Sequence, residues 1–328
     1  MRDSLLELQE VRTYFYVRKG LFKTLAVKAV DGVSLSINRG ETVAIVGESG
    51  SGKSTLGRTA LKLVEPTSGK IIFEGKDITN LSSEDLKWFR RKAQMIFQDP
   101  YTSLNPFMTI KQIIEEPLVV HGFDAREREE RVIKALEDVR LLPPETFLSK
   151  YPHMLSGGQR QRVGIARCLV LEPVFIVADE PVSMIDASSR VEILLLMRSL
   201  QGKYGIGMMY ITHDIATTKY FSDKIAVMYA GKLLEIGPSQ RILKEPLHPY
   251  TVALIDAVPD PDPHNRFRLR RVVTGEPPSP LNPPSGCRFH PRCPYSDGMK
   301  CVKEEPEMIE VDMNRKVACH YIEKIAGK

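Results

Sequence analysis

Residues 41–55 read Glu-Thr-Val-Ala-Ile-Val-Gly-Glu-Ser-Gly-Ser-Gly-Lys-Ser-Thr. The β-branched run at 41–46 predicts a short strand, and the stretch 54–64 has helical character. A glycine-rich loop between a strand and a helix N-terminus offers free backbone N–H groups and the positive end of the helix dipole to an anion. The loop also fits the pattern G-x-x-x-x-G-K-S/T, which holds nucleotide phosphates. We refer to residues 47–55 as the phosphate loop.

Residues of the phosphate loop have distinct expected roles. Lys53 would reach the β- and γ-phosphates, and the Ser54 hydroxyl would bind Mg²⁺. A chance glycine-rich turn is the alternative, but the flanking strand and helix argue against it. The loop residues expected to contact nucleotide are Gly47, Ser49, Gly50, Ser51, Gly52, Lys53, Ser54 and Thr55.

A second apolar run, at 174–178, ends in the acidic pair Asp179-Glu180. A continuous apolar run is typical of a strand buried on both faces of a parallel sheet. A carboxylate at the end of such a strand can hold Mg²⁺ through water, which is the role we expect for Asp179. A second carboxylate, Glu180, can polarise an attacking water. Alone, an Asp-Glu pair is more simply a solvated strand end.

The pair does not stand alone, because two further motifs frame it. Leu-Ser-Gly-Gly-Gln at 155–159, named here the signature loop, lies upstream, and Tyr-Ile-Thr-His-Asp at 210–214 lies downstream. With the phosphate loop, in this order, they make the chain resemble the ABC ATPase family from about residue 5 to 246. The resemblance implies an α/β fold: a P-loop NTPase core with a parallel sheet, an antiparallel β subdomain and a helical subdomain at about 100–165. The sequence alternation at 5–40 and 69–80 independently predicts antiparallel strands.

The resemblance also assigns catalytic roles by position. Gln98 would touch Mg²⁺ and the attacking water and sense a membrane partner, Glu180 would act as the general base, and His213 would contact the γ-phosphate. Ser54, Gln98 and Asp179 would be the Mg²⁺ ligands. Asp186 corresponds to the D-loop aspartate, although the usual Ser-Ala-Leu-Asp reads Ser-Met-Ile-Asp at 183–186.

The remaining nucleotide contacts also come from the resemblance. Phe15 is the aromatic assigned to stack on adenine, with its neighbours Tyr14 and Tyr16 as alternatives. The signature residues, which would face the nucleotide bound on an opposite subunit, are Ser156, Gly157, Gly158 and Gln159.

Composition fits a protein that reaches the membrane through a partner. The 328 residues contain no apolar run near the ~18–20 residues that span a bilayer, and acids occur too early for a secretory signal. We therefore expect a peripheral location on the cytoplasmic face of the cell membrane. The formal charge of +5 is mild and diffuse, with one basic cluster at 266–271, and does not argue for nucleic acid.

The C-terminal part of the chain, 247–328, differs from the rest, and we call it the C-terminal extension. Seven of the eighteen residues from 277 to 294 are proline, which excludes regular helix and predicts an extended arm along a surface. The extension also holds four of the five cysteines: Cys287, Cys293, Cys301 and Cys319. They are separated by five, seven and seventeen residues, so no C-x₂₋₄-C pair of a zinc site exists. Spacing alone leaves an iron–sulfur cluster, zinc and bare thiols open.

The segments 247–251, 275–280 and 287–294 resemble the C-terminal extension of oligopeptide/dipeptide permease ATP-binding subunits. This resemblance implies a 4Fe–4S cluster on the four cysteines, with zinc as the alternative. Such a cluster would lie far from the phosphates and fasten the arm. The implied organisation is an ABC ATPase domain at 1–246 followed by the C-terminal extension at 247–328.

The function implied is ATP hydrolysis that powers an ABC importer of di- or oligopeptides. The same machinery could import oligosaccharides or nickel chelates, and a non-transport ABC ATPase is a further alternative. Expected partners are two transmembrane permease subunits, an extracytoplasmic substrate-binding protein and a second, related ATP-binding subunit. A heterodimer is expected, with a homodimer as the alternative.

Overall fold

The computed structural model describes residues 4–19, 23–258 and 275–325, so the basic cluster at 266–271 lies outside the described residues. The strands are β1 (Ser4–Lys19), β2 (Lys23–Asn38), β3 (Thr42–Val46), β4 (Ser68–Phe73), β5 (Lys76–Asp77), β6 (Ala93–Ile96), β7 (Phe175–Asp179), β8 (Gly207–Thr212), β9 (Lys224–Tyr229), β10 (Lys232–Pro238), β11 (Ile309–Asp312) and β12 (Arg315–Val317). The α-helices are α1 (Lys53–Ala60), α2 (Ser83–Lys92), α3 (Ile110–Val120), α4 (Ala125–Asp138), α5 (Glu145–Leu148), α6 (Gly157–Leu169), α7 (Ala187–Tyr204), α8 (Ile215–Phe221), α9 (Ser239–Lys244), α10 (Pro249–Asp256), α11 (Lys300–Lys303) and α12 (Ile322–Ile325).

The chain divides into two compact units. The described residues of the first unit are 4–5, 37–41 and 80–210. Those of the second are 6–36, 42–79 and 211–325, apart from the gaps given above. The second unit therefore contains the phosphate loop, His213 and the described part of the C-terminal extension, while the first contains Gln98, Glu180 and the signature loop.

In the second unit, strands form two arrangements. Strands β2, β1, β4 and β5 are neighbours in that order, and β1 pairs antiparallel with β4 through Leu6 opposite Phe73 and Leu8 opposite Ile71. The alternate residues Leu6 and Leu8 are buried, as the alternating pattern of a one-sided sheet predicts. The predicted antiparallel strands at 5–40 and 69–80 are confirmed.

The other strand set of the second unit has the order β11-β12-β10-β9-β3. Strand β3 pairs parallel with β9, with Val43 opposite Lys224, whereas β9, β10, β12 and β11 pair antiparallel in turn. All five residues of β3 are buried, which matches their unbroken apolar and β-branched character. The C-terminal extension thus adds strands to the set of strands that includes β3, the strand preceding the phosphate loop.

In the first unit, β8, β7 and β6 are neighbours in that order, and β6 pairs parallel with β7. Helices α3, α4 and α6 contact one another. Each begins at a polar N-cap: Thr109 before α3, Asp124 before α4 and Ser156 before α6. The charged face of α4 lies outward while Val132, Ala135 and Leu136 are buried, as is typical of an amphipathic helix.

The search for membrane spans gives a negative result for the described ranges. Within residues 4–19, 23–258 and 275–325, each helix is too short or too polar to cross a bilayer.

Candidate nucleotide site

The phosphate loop joins the buried strand β3 to helix α1. Gly52 occupies the N-cap of α1 with φ 102°, and no described side chain caps this helix end. A Cβ on Gly52 would lie 2.0 Å from the carbonyl oxygen of Ala29, and one on Gly47 would lie 2.1 Å from that of Met228. Because those contacts are with backbone, only glycine fits at both positions. A helix start that no described side chain caps is suited to an anion.

Lys53 is the buried cation of the phosphate loop. Its ammonium donates to the carbonyl oxygen of Gly47 at 2.8 Å and to that of Glu48 at 2.9 Å. Its side chain therefore lies along the loop that precedes it. The hydroxyl of Ser51 is also buried, and it has no hydrogen-bond partner among the described residues. A buried hydroxyl without a partner is costly, and a phosphate oxygen would satisfy it.

The hydrogen-bond donors of the phosphate loop fit the phosphates of a Mg²⁺–nucleoside triphosphate. The loop offers a lysine ammonium, an orphaned serine hydroxyl and an uncapped helix start, which are all suited to phosphate oxygens. Ser54, a hydroxyl in the first turn of α1, is a ligand of the type that Mg²⁺ accepts alongside phosphates. The prediction that this loop has the form of a phosphate site is therefore consistent with its geometry.

Gln98 and Glu180 meet in the first unit. The Gln98 Nε2 group donates to Glu180 Oε2 over 3.1 Å. The contact arises because β6 and β7 are parallel neighbours, so the residues just after each strand lie at the same edge. Glu180 has φ 45°, a left-handed conformation that is uncommon for a residue with a side chain. Its carbonyl oxygen is held by the N–H and hydroxyl of Ser183, at 3.1 and 3.0 Å.

Asp179, the last residue of β7, is buried, with 2% of its surface exposed. In the second unit, His213 follows β8 directly and is exposed. The next residue, Asp214, caps α8 by accepting the Ala216 N–H at 2.9 Å, and its own N–H donates to the Thr212 hydroxyl. His213 is therefore presented by a turn that is fixed on both sides.

The signature loop ends in a capping box on α6. The Ser156 hydroxyl accepts the Gln159 N–H at 3.3 Å, and the Gln159 side-chain oxygen accepts the Ser156 N–H at 3.1 Å. The side chain of Gln159 is thus engaged in the cap, whereas the Ser156 hydroxyl still has its hydrogen to donate. The nucleotide contacts predicted for Ser156, Gly157, Gly158 and Gln159 stay predictions.

Asp186 and Gly158 both lie near Ser189 in the first turn of α7, also in the first unit. Asp186 caps α7 by accepting the Ser189 N–H at 2.9 Å. A Cβ on Gly158 would lie 3.3 Å from the Ser189 hydroxyl oxygen, which is tighter than normal packing. The D-loop aspartate and the signature glycine therefore lie against the same helical turn.

Among the three candidate adenine-stacking aromatics, one is already engaged. The Tyr14 hydroxyl donates to Asp31, and burial raises the pKa of Tyr14 to about 12. Phe15 and Tyr16 are exposed, by 42% and 65%. Tyr14 is thereby fixed in place, and Phe15 stays the predicted stacking residue.

The predicted 4Fe–4S cluster is wrong. In the parts of the chain that the structure describes, no three His, Cys, Asp or Glu side chains are grouped so that they could hold a metal ion. The four cysteines are free thiols, and burial raises the pKa of Cys287 to about 12 and that of Cys293 to about 11. Burial also raises the pKa of Cys301 and of Cys319. Among the described residues, the side chains therefore offer no grouped set of ligands for iron or for the alternative zinc.

The C-terminal extension contributes contacts that the sequence did not reveal. Arg292 forms an ion pair with Glu48, the second residue of the phosphate loop, at 2.9 Å. Phe289 is fully buried, and Cys287 and Cys301 are buried with it. The proline-rich segment 277–294 forms no strand or α-helix, as predicted, but it also touches the phosphate loop through Arg292 and packs Phe289 against Tyr229, which the sequence did not predict. No spacing rule could have linked residues 244 positions apart.

Comparison with known proteins agrees with the motifs. Residues 30–183 match the family model described as ABC transporter, and residues 234–301 match the model for the C-terminal region of the oligopeptide/dipeptide transporter. The chain is 48% identical to the oligopeptide transport ATP-binding protein AppF of Bacillus subtilis, over 97% of this chain and 98% of AppF. It is 46% identical to the probable peptide ABC transporter ATP-binding protein y4tS of Sinorhizobium fredii, over 98% of this chain and 90% of y4tS.

Solved structures of similar fold are ABC ATPase cassettes. The protein cbiO1 of Clostridium perfringens, described as part of the ABC transporter complex cbiONQ, superposes with a TM-score of 0.64 at 30% identity, over 74% of this chain and 92% of cbiO1. The bacterial ABC transporter cassette MJ0796, solved as a dimer, superposes with a TM-score of 0.62 at 30% identity, over 71% of this chain and 98% of MJ0796. The predicted α/β cassette fold is confirmed. The chain therefore belongs to the ABC transporter family, as an ATP-hydrolysing, ATP-binding subunit that carries the C-terminal region of oligopeptide/dipeptide transporters.

Proposed function

We propose that this chain is the ATPase that powers uptake of di- or oligopeptides through an ABC importer. The observation that carries the catalytic part is the 3.1 Å contact from the Gln98 amide to the Glu180 carboxylate at the end of two parallel strands. The peptide part is supported by the relatives named for oligopeptide or peptide transport, which align over nearly the whole chain.

Glu180 is the proposed general base. Its carboxylate would take a proton from the attacking water, and the Gln98 amide would orient both that carboxylate and the water. The left-handed backbone of Glu180 is held in place by the hydroxyl of Ser183. A positioned base of this kind accelerates proton transfer by roughly 10²–10⁴-fold.

The phosphate loop is the proposed binding element for the triphosphate. Lys53, the Ser51 hydroxyl and the N–H groups at the start of α1 would bind phosphate oxygens, and His213 would contact the γ-phosphate. Ser54, Gln98 and Asp179 are the proposed Mg²⁺ ligands. When bound, Mg²⁺ neutralises charge that develops on the phosphates.

The proposed assembly pairs this chain with a second ATP-binding subunit. Ser156, Gly157 and Gly158 would face nucleotide on that partner, with Asp186 beside them, as the capped start of α6 allows. We propose a related but different chain as the partner, two transmembrane permeases, an extracytoplasmic substrate-binding protein and a position on the cytoplasmic face of the membrane. We further propose an ATPase domain at 1–246, with a helical subdomain at about 100–165, and the extension at 247–328.

The test is transport by a reconstituted complex. Vesicles containing the permeases, both ATP-binding subunits and the binding protein would be given a labelled peptide, a labelled oligosaccharide and a nickel chelate in parallel. The proposal predicts ATP-dependent accumulation of the peptide that disappears in the Glu180→Gln variant. Accumulation of the sugar or the chelate instead would replace the peptide assignment. ATP hydrolysis without any uptake would favour a non-transport ATPase.

A further inference from the structure

Glu48 in the phosphate loop is held at three points. Its backbone N–H donates to the Tyr250 hydroxyl at 2.8 Å, and its carbonyl oxygen accepts from the Lys53 ammonium at 2.9 Å. Its carboxylate accepts two hydrogen bonds from Arg292, at 2.9 and 3.2 Å. Two of the partners, Tyr250 and Arg292, belong to the C-terminal extension.

The two partners from the extension are themselves fixed in place. Tyr250 is fully buried, with its ring 4.6 Å from that of Tyr229 and 5.3 Å from that of Phe289. Its backbone N–H donates to His248 Nδ1 at 3.0 Å, which anchors the start of α10. Arg292 also donates to the Tyr229 hydroxyl at 3.2 Å. A guanidinium nitrogen shared by Glu48 and Tyr229, and a phenol in an aromatic cluster, have little freedom to follow a moving loop.

A second arginine of the extension supports the middle of the phosphate loop through the turn between β9 and β10. Arg288 donates to the carbonyl oxygen of Ala230 at 2.8 Å and pairs with Asp31. The next residue, Gly231, donates its N–H to the carbonyl oxygen of Ser51 at 2.9 Å. Ser51 is the residue whose buried hydroxyl has no partner among the described residues. The extension thus supports the loop at Glu48 directly and at Ser51 through one turn.

The charge of Glu48 makes the contact matter for an anionic ligand. An unpaired carboxylate in the phosphate loop would repel a triphosphate and would also attract the Lys53 ammonium away from it. Pairing with Arg292 cancels that charge and holds the Glu48 backbone, whose carbonyl oxygen accepts a hydrogen bond from Lys53. Displacing Glu48 would therefore displace the lysine.

We propose that Arg292 and Tyr250 are positioning residues for nucleotide binding, so that the C-terminal extension presets the phosphate loop through Glu48. The inference rests on the proposed ATPase function and adds a role for the extension within it. Because coupling between two sites is reciprocal, bound nucleotide should in turn stabilise the packed extension.

The test compares ATP affinity in four single variants and one double variant of the full-length chain. Arg292→Ala removes the ion pair, Glu48→Gln removes its partner, and Arg292→Lys keeps the charge. Arg241→Ala is the matched control, because Arg241 is an exposed arginine of the same unit whose nearest carboxylate, on Asp312, is 3.9 Å away. Binding of Mg²⁺–ATP would be measured by calorimetry, with urea unfolding of each variant alongside.

The expected result is a loss of about tenfold in affinity for Arg292→Ala, since charge-assisted hydrogen bonds are the strong ones. KM for ATP should rise while kcat at saturation changes little. Arg292→Lys should restore part of the affinity, and adding Arg292→Ala to Glu48→Gln should cost nothing further. Arg241→Ala should bind like the parent.

Three outcomes would overturn the inference. The first is an ATP affinity of Arg292→Ala within twofold of the parent. The second is a double variant whose loss of ATP affinity equals the sum of the losses of Arg292→Ala and Glu48→Gln. The third is an equal loss of ATP affinity in the Arg241→Ala control. If Arg292→Ala does not fold, Glu48→Gln and Arg292→Lys carry the same comparison. A parent chain that does not bind ATP would overturn the proposed function itself, and this would be seen before any variant was compared.

Discussion

The Gln98 amide donates to the Glu180 carboxylate over 3.1 Å, although 82 residues separate the two along the chain. Parallel pairing of β6 with β7 brings them together, because the residues that follow parallel neighbours lie at one edge. The Glu180 carboxylate can accept a proton from water, and the Gln98 amide can hold that carboxylate in a single orientation. The contact therefore defines which of the two acidic residues after the apolar run is suited to act as a base.

Replacing Glu180 with Gln should abolish most ATP turnover while nucleotide still binds. The amide keeps the shape of the side chain but cannot accept a proton, so we expect kcat to fall by roughly 10²–10⁴-fold. Phosphate release at saturating ATP and calorimetric binding of ATP are the two measurements. Turnover within a few-fold of the parent would rule out Glu180 as the general base.

Ser156→Ala should separate two roles of Ser156, the capping of α6 and the predicted contact with nucleotide. Ser156 and Thr109 both form capping boxes, on α6 and α3, so each alanine variant should lose about 1 kcal/mol of unfolding free energy. If Ser156 also faces nucleotide, only Ser156→Ala should lose ATPase activity. Urea unfolding and steady-state hydrolysis of the two variants provide the comparison, and equal activities would limit Ser156 to capping.

Gly52→Ala should remove nucleotide binding and destabilise the fold. Its Cβ would meet the Ala29 carbonyl at 2.0 Å in addition to the strain of φ 102°. Gly50→Ala is the matched control, because Gly50 has φ 77° but open space around it, so its cost should be limited to about 1–2 kcal/mol of backbone strain. The measurement is unfolding free energy with ATP affinity. Similar losses in both variants would contradict the role of close packing at Gly52.

His248→Asn should reduce the sensitivity of the fold to acid. Burial lowers the pKa of His248 to about 3, so the folded protein keeps this imidazole neutral while the unfolded chain takes up a proton below its ordinary value of about 6.5. Stability from this residue is therefore present above pH 6.5 and is lost as pH falls toward 3.

Asparagine can still accept a hydrogen bond from the Tyr250 N–H but does not titrate. The variant therefore removes the effect of protonation and keeps the helix cap. Between pH 7 and pH 5, the parent should lose about 2 kcal/mol more unfolding free energy than His248→Asn. Urea titrations at the two pH values would measure the difference. Parallel losses in parent and variant would show that His248 is not the titrating group.

The local motifs were predictable because each is written in consecutive residues. The glycines of the phosphate loop, the acidic pair after β7 and the Ser-x-x-Gln pattern that caps α6 each act within one turn or one strand end. Their chemistry can therefore be predicted from the sequence alone. The antiparallel strands were predictable for the same reason, through alternation and turn residues.

The contacts of the C-terminal extension were not predictable, because they depend on residues far apart in sequence. Proline content correctly excludes long helix but says nothing of whether Phe289 is buried or which carboxylate Arg292 meets. The cysteine spacing likewise cannot tell whether the thiols converge, and burial instead raises the pKa of Cys287 and Cys293. Tertiary contact decided both questions.

The pairing of β12 with β10 has a consequence for any shortened form of this chain. Glu235 and Ile236 of β10 are bonded on that side to Val317 and Lys316, and Arg315 closes over the carboxylate of Glu235. Removing the extension would leave a bare sheet edge of apolar residues next to an uncompensated buried charge. Such an edge recruits strands from other molecules, so we expect a cassette cut after residue 246 to aggregate rather than to serve as a minimal ATPase.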